Sequence, residues 1–152
     1  MRKRSRGHCH GLIRALAAVA AAAVSGCGTS PITSARIEGA IEPTFANLIH
    51  VQLSWLGLPP VAASDIEVTA SCRKMVAGSS TGGTGNWECR LAWQVPNRQL
   101  LRDAYDLFVA TDGCYTASIT GESLGGPTLT AQDGRDVRNL LYTFEGCFDT
   151  TG

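Results

Sequence analysis

Between Asp65 and Val95 lie two arms of alternating apolar residues, and a single pairing of them satisfies the side chains together. The first arm places Ile66, Val68, Ala70 and Cys72 on one face, and the second places Trp87, Cys89, Leu91, Trp93 and Val95 likewise. A period of two is the mark of a half-buried strand. The glycine-rich stretch Gly78 to Asn86 joins the arms as a flexible hairpin loop. Pairing the arms antiparallel with Cys72 opposite Cys89 sets Ala70 against Leu91, Val68 against Trp93 and Ile66 against Val95. On the other face the same register sets Arg73 against Glu88, an opposite-charge pair. A slip of one residue would turn the whole apolar set outward, so the register holds and predicts a Cys72–Cys89 disulfide.

The chain has six cysteines: Cys9, Cys27, Cys72, Cys89, Cys114 and Cys147. The last four allow three connectivities, and with Cys72 joined to Cys89 the remaining bridge is Cys114–Cys147. Such a bond would pin a C-terminal segment that otherwise frays. In the chain-entropy account each bridge contributes about 3 to 4 kcal/mol before strain. Zinc is the rival use of four cysteines, but no C-x-x-C pair or histidine stands at ligand spacing. No metal is expected.

Disulfides persist in oxidising compartments, so such a chain needs an export signal, and residues 1–26 have the build of one. Arg2, Lys3, Arg4, Arg6 and Arg14 form a basic start, Ala15 to Val24 an apolar middle, and small residues follow. The apolar middle is ten residues, whereas a transmembrane helix needs about 20. The basic start lacks the apolar pattern of a twin-arginine signal. His8-Cys9-His10, which looks like a metal cluster, falls in the segment to be removed.

Val24-Ser25-Gly26-Cys27 reads as a branched apolar residue, a serine, a glycine and a cysteine. It resembles the lipobox of bacterial lipoprotein precursors. The resemblance covers these residues alone and implies cleavage between Gly26 and Cys27, diacylglycerol on the Cys27 thiol, and palmitate-type acylation of a new N-terminus. Two acyl chains hold a protein at a membrane where one only dwells. The alternative is an ordinary signal peptide cut near Ala21-Ala22-Ala23, leaving Cys27 as an odd thiol. The later Trp87-x-Cys89 strand and Asp112-Gly113-Cys114-Tyr115 also resemble small exported domains of actinobacterial-type lipoproteins, a likeness that carries over no site.

Removal of 1–26 changes the charge balance. Of thirteen basic residues five precede Cys27, while all thirteen acids follow it, leaving the mature chain at eight against thirteen, a net of minus five. A mildly acidic domain has no electrostatic case for nucleic acid. The expected organisation is a cleaved signal (1–26), a lipidated tether (27–34) and one β domain (35–152), a length suited to one core.

The rest of the chain supplies further strand candidates. Ala35, Ile37, Gly39 and Ile41 alternate with polar residues to give a strand from Ala35 to Glu42 that Pro43 ends. Phe45, Ile49, Val51, Leu53 and Trp55 follow on one face, with His50, Gln52 and Ser54 on the other. A helix from Thr44 fits part of this run, but the alternation from Ile49 favours a strand. Leu58-Pro59-Pro60 then forces an extended turn.

Asn97 to Ala104 reads as a polar connection with a turn of helix. Tyr105 to Thr111 and Cys114 to Thr120 flank Asp112-Gly113, the signal for a tight two-residue hairpin. That turn puts Tyr105, Leu107, Val109, Cys114 and Thr116 on one face and Phe108, Ala110, Tyr115, Ala117 and Ile119 on the other, so both faces should be covered. Gly121 to Pro127 is a loop, and a second Asp-Gly stands at Asp133-Gly134. Leu140 to Phe148 is the last strand candidate, although Val137, Leu140, Leu141 and Phe144 also fit a helical face, leaving 137–148 open. No repeat recurs. The expected fold is all-β, a small antiparallel β-sandwich or open barrel of six or seven strands with two disulfides.

Chemistry is sparse. The mature chain has one histidine, His50, read as a solvated strand residue. Asp103 with Asp106, and Asp133 with Asp136, are close in sequence but fall in turn-like or strand-edge positions, where exposed turn acids are the plain reading. Gly82-Gly83-Thr84-Gly85 lacks the lysine and following helix of a phosphate loop. Trp55, Trp87 and Trp93 fall on faces assigned to the core. No catalytic or cofactor-binding residue is named. The function expected is a non-catalytic β domain held on the outer side of the cell membrane by lipid on Cys27, binding an unidentified protein or envelope component. The alternatives are a carbohydrate or small-ligand module using an exposed Trp55 or Tyr115, and a small hydrolase using Asp103 and Asp106.

Overall fold

The structure is a computed structural model that describes residues 32–75 and 82–150. The export signal, His8-Cys9-His10, Cys27 and residues 78–81 of the Gly78 to Asn86 loop lie outside the described residues.

The fold is mostly β and antiparallel, with no closed barrel. Its main sheet has five strands: β1 (Glu67–Lys74), β2 (Gly85–Gln94), β3 (Leu101–Val109), β4 (Cys114–Ile119) and β7 (Thr143–Cys147), in the order β1-β2-β3-β4-β7. Two short strands, β5 (Thr128–Thr130) and β6 (Asp136–Arg138), form a separate hairpin. The register of β1 on β2 is the one the sequence demands, with Cys72 opposite Cys89, Ala70 opposite Leu91, Val68 opposite Trp93 and Arg73 opposite Glu88. Arg73 and Glu88 meet at 2.8 Å on the outer face. Both disulfides join directly opposed residues, Cys72–Cys89 with Cα atoms 4.1 Å apart and Cys114–Cys147 with Cα atoms 3.9 Å apart.

The two strands expected between Ala35 and Trp55 are instead one helix, α1 (Ser34–Trp55), with Pro43 inside it. Ile37, Ile41, Phe45, Ile49 and Leu53 recur every fourth residue and all are buried. That spacing makes one stripe on a helix, whereas a strand would have buried Val51 and Trp55, which are exposed. An internal proline costs about 3 kcal/mol. Burying five large apolar side chains at about 1.5–3 kcal/mol each outweighs it several-fold. The Thr33 side chain accepts from the Arg36 N–H at the start of α1. Ile32, in the stretch read as tether, is already buried in the core.

The hairpin between β3 and β4 also departs from expectation. Its loop is longer than two residues: the Gly113 N–H donates to Ala110 C=O (3.2 Å), the Ala110 N–H donates to Cys114 C=O (2.8 Å), and Gly113 has φ +82°. This is a type I turn followed by a left-handed glycine. It pairs Val109 with Tyr115, a shift that turns β4 over. Tyr115 and Ala117 therefore join Tyr105, Leu107 and Val109 in the core, and Phe108 stands 59 % exposed on the open outer face. Ala131 to Arg135 repeats the same Ala-x-Asp-Gly-x turn, with Gly134 at φ +82° and the aspartate accepting the same backbone N–H two residues on. The polar connection expected up to Ala104 is shorter than read, because β3 begins at Leu101. The open segment 137–148 ends as strand β7 after a turn at Leu140 to Tyr142.

α1 lies against the inner face of the sheet and reaches both its edges. Phe45 packs at 5.0 Å from Trp93, 5.6 Å from Tyr105 and 5.7 Å from Phe144. At one edge the Glu38 and Glu42 carboxylates accept the Cys72 and Ala70 N–H groups of β1 (2.8 and 2.9 Å). At the other, Arg36 donates to Asp149 C=O just past β7 (2.7 Å).

Candidate functional site

The end of α1 is built by a glycine. Gly57 has φ +73°, the Leu58 N–H donates back to Leu53 C=O and the Gly57 N–H to Ser54 C=O, which closes the helix and folds Leu58 onto Leu53. Pro59 then prevents continuation. The segment from Gly121 to Leu141 covers this end. Asn139, 1 % exposed, holds it: Nδ2 donates to Leu124 C=O (3.0 Å) and Gly126 C=O (2.9 Å), and Oδ1 accepts from the Leu141 N–H (3.1 Å).

Between these parts lies a cavity of about 200 Å³. Its walls are apolar: Leu53, Leu58, Trp93, Leu101, Leu124 and Leu141 carry most of it, and Arg98 and Gln99 of the β2–β3 turn stand at its mouth. Gln52 lines it and is 3 % exposed. The Leu140 N–H donates to Gln52 Oε1 at 2.6 Å, which fixes the orientation of the amide. Gln52 Nε2 is buried and has no acceptor among the described residues. Native interiors leave few such donors unpaired.

The expected site residues are dispersed. Asp103 faces the inner side of β3 and is tied up by the Ala104 N–H (2.9 Å) and the Ser123 hydroxyl, whereas Asp106 pairs across the sheet with Glu88 and Ser118. Three residues apart on a strand, the two carboxylates point to opposite faces, so the sheet does not bring them together. Asp133 accepts from the Arg135 N–H and guanidinium, which hold its carboxyl below the usual range, and Asp136 accepts from Thr130. His50 is on α1, with Nδ1 2.7 Å from Val61 C=O, so that nitrogen carries the proton and ties down the segment after the helix. It is a helix residue with a structural bond, not a solvated strand residue.

Tyr115 is buried, with its phenol pushed up by burial, and its hydroxyl has no hydrogen-bond partner among the described residues. It offers no stacking face. Trp87 and Trp93 are core, while Trp55 is 43 % exposed beside Arg135 and Arg138. Tyr105 donates to Leu141 C=O at 2.9 Å, and burial, then Asp103, push its phenol above the ordinary range. In the sequence Gln52 falls on the polar side of an alternating run. Its role follows only once the helix turns that side inward.

Among the described residues no three His, Cys, Asp or Glu side chains come together as metal ligands would, and no helix is long and apolar enough to cross a membrane. No protein-family model, curated protein or solved structure matches this chain.

Proposed function

We propose that the protein is a lipid-anchored, non-catalytic module of the cell envelope, held to the membrane through Cys27 and binding an envelope component with its β domain. What supports this reading is the pair of cross-strand disulfides, Cys72–Cys89 and Cys114–Cys147, which belong to an oxidising compartment, downstream of a lipobox-like Val24-Ser25-Gly26-Cys27. The placement of Asp103 and Asp106 on opposite faces of β3 favours this reading over a small hydrolase.

Four residues lie between Cys27 and Ile32, the first core residue before α1, so five steps of chain keep Ile32 within about 18 Å of the anchor. The helix then rises about 33 Å over its length and carries the Gln52 cavity to its far end. Metabolic labelling with a fatty-acid analogue tests the reading: the natural chain takes up label and the Cys27→Ala chain does not. Equal labelling of both, or none of either, overturns the anchor.

A small-ligand module is the second reading, favoured over a carbohydrate module by one observation. A cavity of about 200 Å³ with mostly apolar walls lies at the end of α1, whereas Tyr115 is buried and offers no stacking face.

A further inference from the structure

We infer that the anchored end of the outer sheet face, carried by Met75 and Phe108, lies in the head-group region of the bilayer that holds the protein. The inference rests on the lipid-anchor reading and adds to it the surface that meets the lipid.

The chain fixes which end of the domain is near the membrane. Five steps from Cys27 reach Ile32, and there the chain is tied to the sheet: the Gly83 N–H donates to Ile32 C=O (2.8 Å) and Thr33 pairs with Gly82. From that tie α1 runs back along β1, with Glu38 at Cys72 and Glu42 at Ala70. The end of β1, the start of β2 and the end of β3 therefore lie beside the start of α1.

Met75 and Phe108 stand in the last outer row at this end. The Met75 N–H donates to Asn86 C=O (2.9 Å), and Asn86 pairs with Phe108. Asn86 is three residues from Gly83, so the row lies within about 11 Å of the tie to Ile32. Phe108 at 59 % and Met75 at 51 % are the most exposed large apolar side chains among the described residues, and they border one groove with Thr116. Apolar side chains exposed singly are ordinary. This pair is set apart by where it stands: a peripheral contact reaches about 5–10 Å into the head-group boundary, and a tether of about 18 Å holds the row beside it.

Large apolar side chains are exposed at the other end too: Trp55 at the end of α1, Leu100 and Leu101 at the start of β3, and Tyr142 before β7. The length of α1 separates the two ends by about 33 Å, which keeps that group out of the lipid when Met75 and Phe108 are in it. Charge does not make the contact. Near the row Arg73 is paired with Glu88, Lys74 donates to Gly82 C=O, and Asp106 and Asp112 are acidic. A surface with no basic excess gains nothing from anionic lipid, so carbon makes it.

For the test, the exported chain is held through Cys27 on phosphatidylcholine vesicles containing brominated lipid, which quenches nearby indoles. A chain that the cell has not acylated is coupled at the same thiol to a maleimide-bearing phospholipid. Phe108→Trp puts an indole in the row at an exposed position, and the emission it adds should shift to the blue and fall at least about twofold with bromine in the bilayer. Trp87 and Trp93 are buried and Trp55 is exposed at the far end, so Trp55→Phe should leave the quenching unchanged. Adding Met75→Asp to Phe108→Trp should remove about half of the quenching or more. Replacing part of the lipid with phosphatidylglycerol should change it little.

An added indole that stays unquenched, or is quenched as strongly with Met75→Asp, overturns the contact. Quenching that Trp55→Phe removes puts the far end in the lipid and overturns it as well. So does a blue shift without vesicles that grows with protein concentration, which puts a second copy on the row. A contact that needs phosphatidylglycerol overturns the part played by carbon. Because the lipid is supplied chemically where the cell supplies none, a chain that takes up no fatty-acid label ends the anchor reading and leaves this measurement intact, and an unquenched indole leaves the anchor standing.

Discussion

The two edges of the five-stranded sheet are held in different ways. β1 and β7 are the outer strands, and each is stapled to its inner neighbour by a disulfide between directly opposed residues. At β1 the bridge lies in the core, with Cys89 fully buried, and α1 adds Glu38 and Glu42, four residues apart, against the outward N–H groups of Cys72 and Ala70. At β7 the bridge is on the outer face, Cys147 is exposed, and among the described residues no second strand pairs with the edge. Unpaired edges invite other chains, and natural proteins cover or charge them. One edge is covered by carboxylates from a helix. The other is left short, with Glu145 on it.

The largest effect expected is on the disulfides. The chain-entropy account ranks the Cys114–Cys147 bridge higher, since it spans 33 residues against 17, giving about 4 against about 3 kcal/mol. Burial argues the reverse, because Cys72→Ala/Cys89→Ala also opens space beneath α1. We expect a loss of about 3–5 kcal/mol for the buried pair and a loss at least about 1 kcal/mol smaller for Cys114→Ala/Cys147→Ala. Urea unfolding of the two double variants decides it. If the rim bridge proves the costlier, loop length and not packing governs both edges.

Next in size are the carboxylates. Glu38→Ala/Glu42→Ala leaves two half-buried N–H groups of β1 without acceptors, at about 1 kcal/mol or more each. The variant should also self-associate through the bared edge, which sedimentation would show. Glu38→Gln/Glu42→Gln keeps an oxygen at each place and should lose less than half as much. Equal losses in the two variants would mean that charge, and not edge closure, is what the glutamates supply.

How far these edges were legible in the sequence follows from what each depends on. The β1–β2 register needed only local facts: alternation, an opposite-charge pair and two cysteines, all agreeing on one alignment. Glu38 and Glu42 are unreadable as an edge cover because the alternation of their segment also fits a strand. Alternation over Ala35 to Ile41 is short, and Pro43 suggested an end. The competing signals were present: Ile37, Ile41, Phe45, Ile49 and Leu53 at a spacing of four, then Gly57 and Pro59 as a stop.

The same error hid Gln52, whose burial depends on helical phase. In the β3–β4 hairpin Asp112-Gly113 was correctly a turn, but two loop geometries share that dipeptide. They differ by one residue, enough to turn β4 over and bring Tyr115 into the core. The cavity depends on Asn139 joining segments far apart in the chain, and no local pattern announces that.

The smallest effect expected is at the third tie of the covered edge, the Arg73–Glu88 pair on the outer face of β1 and β2. Arg73 is largely exposed, so the pair is screened by solvent and contributes little. Its signature is in pH. The hydrogen bond from Arg73, opposed by partial burial and helped by the charges of Arg73 and Arg90, holds the Glu88 carboxyl below the usual range. A carboxyl depressed in the folded chain adds stability that is fully present above its unfolded value, about 4.3, and is lost as pH falls through the folded one. Glu88→Gln should therefore leave stability near neutral pH almost unchanged and flatten its decline between about pH 5 and 3. Added salt should shrink the difference further. A variant that instead weakened the fold strongly at neutral pH would show that this outer-face pair holds the covered edge as firmly as the bridge beneath it.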